Sequence, residues 1–248
     1  MSGLLEIQHL SKNFDTTKVI NDFSMTVDEG TICCLLGPNG AGKTTTIDLI
    51  TGRVKPTSGT ILFANEDITG RDEHEIARAG VGRKFQVPAV LRDMTVRQNL
   101  EVAYSRQTNP FWNLFKFHRA GLKQKFDEVA DLAGLTRRLD VIAGNLSHGE
   151  TQWLEIGMVL MQEPRLMLMD EPIAGMTEGE IEKTARIFRD LRKTTTLIVV
   201  EHDMGFVRQI ADVVTVMHMG SLLAQGTLSE IEANARVREV YLGEQEAA

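Results

Sequence analysis

Short apolar runs recur along the chain and predict a set of buried β-strands, at residues 32–36, 81–85, 166–169, 197–200 and 213–217. Most of these runs do not alternate apolar with polar residues, which is typical of parallel strands covered on both faces. In the intervals, apolar residues recur every three or four positions and predict amphipathic helices, as at Ile181, Ala185, Phe188 and Leu191. Strands that alternate with helices predict an α/β fold with a mainly parallel sheet.

Two parts of the chain depart from this pattern. Residues 5–10 and 19–27 alternate apolar with polar residues, which predicts an N-terminal antiparallel β layer beside the main sheet. Residues 94–149 have helical periodicity and no clear strand pattern, so we expect an inserted α-helical subdomain there. The remaining residues, 1–93 and 150–248, are then expected to form the core of a single domain.

The composition restricts the class of protein. Of the 248 residues, 42% are hydrophobic and 25% charged, a balance typical of globular domains and not of coiled coils or disordered chains. Asp and Glu outnumber Lys and Arg by 34 to 27, and the formal charge of −7 argues against nucleic acid as the main ligand. The two cysteines, Cys33 and Cys34, are adjacent in an apolar run, which suits neither a metal site nor a disulfide framework. The sequence predicts no secretion signal and no apolar run of the roughly 20 residues that cross a membrane.

A phosphate-binding pattern, G-x-x-x-x-G-K-[ST], follows the first predicted buried strand and precedes a predicted helix. In such a loop, glycines allow backbone N–H groups to point at phosphate oxygens, and the start of the helix adds a partial positive charge. Lys43 is expected to reach the β and γ phosphates, and Thr44 to bind Mg²⁺. The residues predicted to bind the nucleotide here are Gly37, Pro38, Asn39, Gly40, Ala41, Gly42, Lys43, Thr44 and Thr45.

Three further strand ends supply side chains suited to nucleotide hydrolysis. The third predicted strand is followed by Asp170, a ligand for Mg²⁺, and by Glu171, which could orient the attacking water or accept its proton. His202 follows the fourth strand and could contact the γ phosphate. Gln86 follows the second strand and could contact both metal and water. Because parallel strands end at one edge of a sheet, we expect Glu171, His202 and Gln86 to form one catalytic group.

The segment Leu146-Ser-His-Gly-Glu, placed before a predicted helix, completes an ordered set of motifs. With it, essentially the whole chain resembles the nucleotide-binding subunit of an ABC transporter, with Walker A at 37–44, a Q-loop at Gln86, a signature at 146–150, Walker B through Glu171, a D-loop at 174–177 and a switch at His202. The resemblance implies ATP and Mg²⁺ as cofactors. It also implies a head-to-tail pair of such domains, in which Ser147, His148, Gly149 and Glu150 contact the ATP held by the partner.

The signature departs from the family's usual Leu-Ser-Gly-Gly-Gln at His148 and Glu150. The Ser147 hydroxyl and the Gly149 N–H, at the start of a helix, are suited to bind a γ phosphate across the interface. A carboxylate beside that phosphate would repel it. We therefore expect the Glu150 side chain to point away and to interact with the positive end of its own helix.

Several aromatic residues have two interpretations. Phe14 lies where the family places a ring that stacks on adenine, and packing in the antiparallel layer is the alternative. Residues 104–117 contain Tyr104, Phe111, Trp112, Phe115 and Phe117, close to several Lys and Arg residues. These rings either form the core of the helical subdomain or face the membrane subunit or anionic lipid headgroups.

Within the family, residues 82–90 and 240–243 resemble the subunits that serve branched-chain amino acid importers, and most closely the urea and short-chain amide branch. The resemblance implies ATP-driven uptake of a small polar solute, urea or short-chain amides, with branched-chain amino acids as the alternative. It also implies two transmembrane permease subunits, a periplasmic solute-binding protein, and a second ATPase subunit that is either identical or paralogous. The chain is then expected on the cytoplasmic face of the inner membrane.

Two other functions stay open at this stage. An ABC-type ATPase that acts on nucleic acid or the ribosome usually has two such domains or a long coiled-coil insert, and this sequence has neither. A module that closes on ATP with weak or no hydrolysis is the second alternative. Against it stands the full set of Lys43, Asp170, Glu171 and His202.

Overall fold

The computed structural model describes residues 3–83, 90–104 and 120–245, with side chains given for these residues other than 120–123 and 241–245. Among them, in chain order, the strands are β1 Leu5–Phe14, β2 Thr17–Val27, β3 Ile32–Leu36, β4 Ser58–Phe63, β5 Glu66–Asp67, β6 Val81–Arg83, β7 Leu166–Asp170, β8 Thr196–Val200, β9 Val213–His218 and β10 Ser221–Gly226. The α-helices of the same residues are α1 Lys43–Ile50, α2 Glu73–Ala79, α3 Val96–Ala103, α4 Ala120–Leu132, α5 His148–Leu160, α6 Glu178–Leu191, α7 Met204–Ile210, α8 Leu228–Ala233 and α9 Ala235–Gln245. Short 3₁₀ helices lie at Thr136–Arg138 and Ala143–Asn145.

The larger sheet has the order β10-β9-β3-β8-β7-β6 in the described part of the chain. Its strands from β9 to β6 are parallel, and β10 is antiparallel to β9. Strand β3 lies between β8 and β9, and β7 lies beside β8. The carboxyl ends of β3, β7 and β8 therefore meet at one edge of the sheet, where the loops that follow them come together.

The second sheet is antiparallel, with the order β2-β1-β4-β5 among the described strands. Two hydrogen bonds join the sheets near the β9–β10 hairpin. The Ser221 hydroxyl donates to the Asn21 carbonyl at 2.7 Å, and the Gln225 amide donates to the Thr26 carbonyl at 3.0 Å. The N-terminal layer is thereby fixed beside the edge of the main sheet.

Successive residues of the buried strands face two different cores. On β3, Cys34 and Leu36 pack in a cluster with helices α5, α6 and α7, whereas Cys33 and Leu35 pack in a cluster with the antiparallel sheet and α1. All five residues of β3 are buried. This two-sided burial explains the continuous apolar run, since a strand with no solvent-facing side needs no polar positions. Burial raises the pKa of the Cys33 thiol to about 11, so it behaves as a neutral core residue.

The structure confirms the predicted α/β fold, the mainly parallel sheet and the N-terminal antiparallel layer. It adds three features to the prediction. The antiparallel layer also contains β4 and β5, the main sheet has an antiparallel edge strand β10, and an isolated bridge pairs Thr95 with Ile142. In the described part of 94–149, the regular elements are α3, α4, the two 3₁₀ helices and the start of α5 at His148.

Candidate functional site

The phosphate-binding loop connects β3 to α1 and borders an open cavity of about 230 Å³. Gly42 precedes α1 with a φ of 100°, and a Cβ at this position would lie 2.6 Å from Ile20 Cδ1. At Gly37, a Cβ would lie 2.4 Å from the Met217 carbonyl oxygen. Both positions therefore require glycine, because the loop is folded tightly against β2 and β9.

The cavity brings together most of the residues that the sequence predicted for it. It is lined by Val19, Asn39, Gly40, Ala41, Gly42, Lys43, Thr44, Thr45, Asp170, Glu171 and Val200. Gly37 and Pro38 do not line the cavity themselves but are bound to Lys43, which does. The Lys43 ammonium donates hydrogen bonds to their carbonyl oxygens at 2.6 and 3.0 Å. The lysine charge is thus held over the loop, at the positive end of α1.

Thr44 and Asp170 form the part of the cavity that suits a divalent cation. The Thr44 hydroxyl donates to Asp170 Oδ2 at 3.1 Å. Burial raises the pKa of Asp170, an effect that the Thr44 hydrogen bond and the charge of Arg83 partly oppose. A hydroxyl and a carboxylate are the hard oxygen ligands that Mg²⁺ prefers, and the cation would offset the cost of a buried negative charge. The residues present therefore fit the predicted metal.

Glu171 lies directly after β7 in a backbone conformation that is unusual for a residue with a side chain. Its φ is 47°, and its N–H donates to the Val200 carbonyl oxygen at 3.0 Å. Its Oε1 lies 3.6 Å from Nδ1 of His202, and 47% of the Glu171 side chain is exposed. The left-handed conformation thus carries the carboxylate out of the sheet to the cavity edge beside His202. The third predicted member of this group, Gln86, lies outside the described residues.

Glu201 is a residue of the site that sequence reasoning missed. Its side chain is 1% exposed, and burial raises its pKa. Its Oε1 accepts from the Ile173 N–H at 3.4 Å, and its Oε2 accepts from the N–H groups of His202 at 3.1 Å and Asp203 at 3.5 Å. Glu201 therefore ties the turn after Glu171 to the turn that carries His202. The signal was a carboxylate directly after an apolar strand, where a buried acid must find donors.

The signature residues form the start of α5. The Ser147 hydroxyl caps this helix by accepting from the Glu150 N–H at 3.1 Å, and Glu150 Oε2 accepts from the Ser147 N–H at 3.0 Å. Glu150 Oε1 also accepts from Arg138 Nε at 2.7 Å. The Glu150 carboxylate is therefore turned toward its own helix, as expected from the sequence. None of the residues 147–150 is among those that line the cavity.

His148 connects the signature to the D-loop. Its Nε2 lies 2.9 Å from the Ala174 carbonyl oxygen. Because a carbonyl oxygen only accepts hydrogen bonds, Nε2 carries a proton in this contact. His148 is also the first residue of α5 and has no positive φ, so the histidine in place of glycine causes no backbone strain at this position.

The aromatic residues are described only in part. Phe14 is 44% exposed at the end of β1, and the Lys12 ammonium lies 4.8 Å from its ring centroid. Phe14 is not among the residues that line the cavity. Tyr104 packs near Phe126, with ring centroids 6.3 Å apart, which favours the core interpretation for this one residue. Phe111, Trp112, Phe115 and Phe117 lie outside the described residues.

Comparison with known proteins agrees with this geometry. A family model described as ABC transporter matches residues 20–174. The chain belongs to the ABC transporter ATP-binding family. A second model, described as branched-chain amino acid ATP-binding cassette transporter, matches residues 221–247 of this ABC protein.

Individual relatives match nearly the full length of the chain. It is 38% identical over 251 residues to the high-affinity branched-chain amino acid transport ATP-binding protein LivG of Salmonella typhimurium, covering 97% of this chain and 98% of the relative. It is 34% identical to a probable branched-chain amino acid transport ATP-binding protein LivG of Archaeoglobus fulgidus, with 98% and 97% covered. A crystal structure of the ADP conformation of an ATP-binding cassette of an ABC transporter has a TM-score of 0.85 and 31% identity, over 98% of this chain and 100% of that one.

These matches confirm the predicted family and its fold, and the chain is an ABC ATPase. The sequence favoured the urea and short-chain amide branch, with branched-chain amino acids as the alternative. The relatives named above support the alternative and give no support to the urea and amide branch. In the described ranges, no helix combines the length and the apolar character that a membrane span requires.

Proposed function

We propose that this ABC ATPase binds ATP with Mg²⁺ and uses its hydrolysis to drive the import of branched-chain amino acids. The observation that supports hydrolysis is the convergence of the phosphate-binding loop, Asp170, Glu171 and His202 at one sheet edge. The observation that supports the substrate class is the full-length similarity to branched-chain amino acid transport ATP-binding proteins, together with the second family match at residues 221–247.

The predicted site residues have distinct roles in this proposal. Lys43 and the N–H groups at the start of α1 hold the β and γ phosphates. Thr44 and Asp170, and Gln86 by family resemblance, hold the metal, which would offset negative charge on the phosphates when bound. The Glu171 carboxylate orients the attacking water and accepts its proton. His202, 3.6 Å from Glu171 Oε1, donates to a γ-phosphate oxygen. Phe14 stacks on adenine.

The signature acts on the nucleotide of a second subunit. Residues 147–150 do not line the cavity of their own chain, which supports a role at an ATP presented by a partner in a head-to-tail pair. That partner is a second copy or a paralogue. ATP bound between the two subunits then stabilises the closed pair, and hydrolysis releases it.

The transporter in this proposal contains two transmembrane permease subunits, which this chain serves from the cytoplasmic face of the membrane. A periplasmic solute-binding protein delivers the amino acid. Residues 94–149 form the helical subdomain that carries the signature, and residues 104–117 within it are candidates for contact with a permease. The support for this assembly is the family membership of the chain.

An uptake assay with a matched enzyme assay tests the proposal. Cells that lack this chain are complemented with the wild type, Glu171→Gln, or the surface control Glu66→Gln, and uptake of labelled leucine and labelled urea is measured. We expect the wild type and the control to restore leucine uptake and Glu171→Gln to fail. The purified Glu171→Gln protein should still retain labelled ATP while its turnover falls by at least 100-fold, because the carboxylate contributes to catalysis and not to ATP binding.

The two parts of the proposal fail in different ways. Turnover of Glu171→Gln at the wild-type rate would contradict the role of Glu171. Restoration of urea uptake without leucine uptake would instead show that the transporter carries urea or amides and would contradict the proposed substrate class. A wild-type protein that retains no ATP would reject the nucleotide site itself.

A further inference from the structure

A second carboxylate, besides that of Glu150, lies at the start of the signature helix α5. Glu180, in the first turn of α6, accepts hydrogen bonds at Oε2 from the Thr177 N–H and the Thr177 hydroxyl, both at 2.9 Å. The bond from the Thr177 N–H, together with that from the Glu180 N–H to the Thr177 hydroxyl at 3.4 Å, forms the capping box of α6. Its other oxygen, Oε1, accepts from the Ser147 hydroxyl at 3.2 Å. One side chain therefore joins the segment after the D-loop to the signature.

The Glu180 carboxylate lies directly over the backbone of the signature. A Cβ on Gly149 would lie 2.4 Å from Glu180 Oε1. Hydrogen bonds from Thr177, and then from Ser147 and the Gly149 backbone, lower the pKa of Glu180. The group is therefore ionised at neutral pH, and an anion occupies the positive end of α5 within the single subunit.

The donors that Glu180 uses are those that the proposed function assigns to the γ phosphate of the partner's ATP. A serine hydroxyl has one proton to donate. The Ser147 oxygen already accepts from the Glu150 N–H, and its proton is directed at Glu180 Oε1. The same hydroxyl cannot donate to a phosphate oxygen until Glu180 releases it. A carboxylate and a phosphate at one helix start also repel each other.

We propose that Glu180 is a competing anion that regulates the signature: it occupies the Ser147 and Gly149 donors in the separate subunit and must withdraw from them for the ATP-bound pair to close. The contact raises the free energy of closure without any direct contact between Glu180 and the nucleotide. This inference rests on the proposed function, because it assumes that the signature binds ATP in trans.

The chain offers a matched control for the test. Glu230 of α8 forms the same capping box as Glu180, with the Thr227 N–H at 2.7 Å and the Thr227 hydroxyl at 2.9 Å from its Oε2. Within the described residues, Glu230 has no contact with the signature. Glutamine is accepted at this position of a capping box. Both variants keep one acceptor oxygen for the capping threonine and replace the other oxygen with an NH₂ group, which cannot accept a hydrogen bond. Only in Glu180→Gln does this release the Ser147 hydroxyl, whose acceptor is Oε1.

The experiment measures ATP-induced dimerisation by sedimentation velocity, in the Glu171→Gln background that prevents hydrolysis. We expect Glu180→Gln to lower the ATP concentration for half-maximal dimer by about ten-fold, because a charge-assisted hydrogen bond no longer opposes closure. Glu230→Gln should leave that concentration unchanged. In a Ser147→Ala background, Glu180→Gln should have a clearly smaller effect, since the contested hydroxyl is gone and only the Gly149 N–H and the carboxylate charge still oppose closure.

The outcomes separate this inference from the proposed function. If the Glu171→Gln parent retains no labelled ATP, the proposed function fails. If the parent binds ATP but Glu180→Gln dimerises no more readily than the parent or the Glu230→Gln control, only the inference is overturned. The inference is also overturned if the Glu171→Gln/Glu180→Gln variant stays monomeric at saturating ATP. It is overturned as well if Glu180→Gln has the same effect with Ser147→Ala as without it.

Discussion

At the scale of single residues, the site depends on carboxylates whose surroundings give them different tasks. Asp170 and Glu171 are neighbours in sequence, yet Asp170 is buried against Thr44 and Glu171 is exposed beside His202. Glu201 is more deeply buried and accepts three backbone hydrogen bonds. It touches neither the cavity nor His202's imidazole at hydrogen-bond distance, so it is a positioning residue.

Glu201→Gln should impair turnover more than ATP binding. A glutamine can accept with only one oxygen, so its amide would face at least one of the three backbone N–H groups, at a cost of about 1–3 kcal/mol in stability. The turns that carry Glu171 and His202 would shift relative to each other. We expect kcat for ATP to fall at least ten-fold while KM changes less than three-fold, as measured in a steady-state ATPase assay.

A surface variant provides the comparison for Glu201→Gln. Glu232→Gln removes an exposed carboxylate that pairs with Arg208 at 2.7 Å, and it should alter neither kcat nor stability measurably. Equal losses in kcat and ATP affinity for Glu201→Gln would contradict a positioning role and indicate general loss of structure.

At the scale of secondary-structure elements, a half-buried ion pair connects α1 to β6. Arg83, with 6% of its side chain exposed, donates to Asp48 Oδ1 at 2.5 Å. Asp48 lies one turn after Thr44 on the helix of the phosphate-binding loop, and Arg83 lies at the end of the strand that leads to the predicted Q-loop. The pair therefore fixes the phosphate-binding helix relative to that strand end.

Arg83→Met should destabilise the protein by about 1–3 kcal/mol, because the Asp48 carboxylate, 19% exposed, would then keep, among the described residues, only the distant Arg53 guanidinium at 3.8 Å. The double variant Asp48→Asn with Arg83→Met should lose less, since it leaves no charge behind. Urea unfolding measures both. As a control, Arg71→Met breaks an exposed pair with Glu66, also at 2.7 Å, and should cost less than about 1 kcal/mol. A double variant less stable than Arg83→Met would refute this account.

The pattern of apolar residues predicted secondary-structure elements best where both faces of an element are buried. Strand β3 was predicted at the bounds it has, because both of its faces meet apolar cores. Strand β10 was missed, since its residues are only partly buried and lack a continuous apolar run. The contact of Glu180 with Ser147 could not have been predicted, because it joins residues 33 positions apart through a capping box that in sequence concerns only α6.

At the scale of the whole molecule, ATP should stabilise the fold, because the cavity draws its walls from β2, the phosphate-binding loop, β7 and β8. A ligand that binds only the folded state at 100 times its Kd adds about 2.7 kcal/mol. For a chain of 248 residues, this corresponds to a rise in Tm of roughly 5–10 °C. Differential scanning fluorimetry should detect the shift in the wild type.

Lys43→Ala should remove most of that shift, since Lys43 supplies the charge at the phosphates. Lys193→Ala, which removes a surface lysine paired with Asp190 at 2.7 Å, should keep it. A full ATP-dependent shift in Lys43→Ala would mean that the nucleotide binds elsewhere.

At this scale, the transported substrate is the property that the sequence motifs did not predict. The motifs of the cavity, completed by the signature at 146–150, identified an ABC ATPase because phosphate chemistry imposes specific residues at specific spacings. The transported solute requires no specific residues in this chain, because it does not enter this subunit in the proposed complex. The preference for urea and amides rested on a few residues of the chain, and full-length similarity favours branched-chain amino acids instead.

The two adjacent cysteines can serve as probes of unfolding, because their side chains lie in different cores. Since Cys33 faces the core shared with the antiparallel sheet and Cys34 faces the core shared with α5, α6 and α7, neighbouring sulfur atoms lie on opposite sides of one sheet. Each thiol is shielded by a separate apolar layer. Alkylation of one but not the other during slow unfolding would therefore reveal which half of the molecule loosens first.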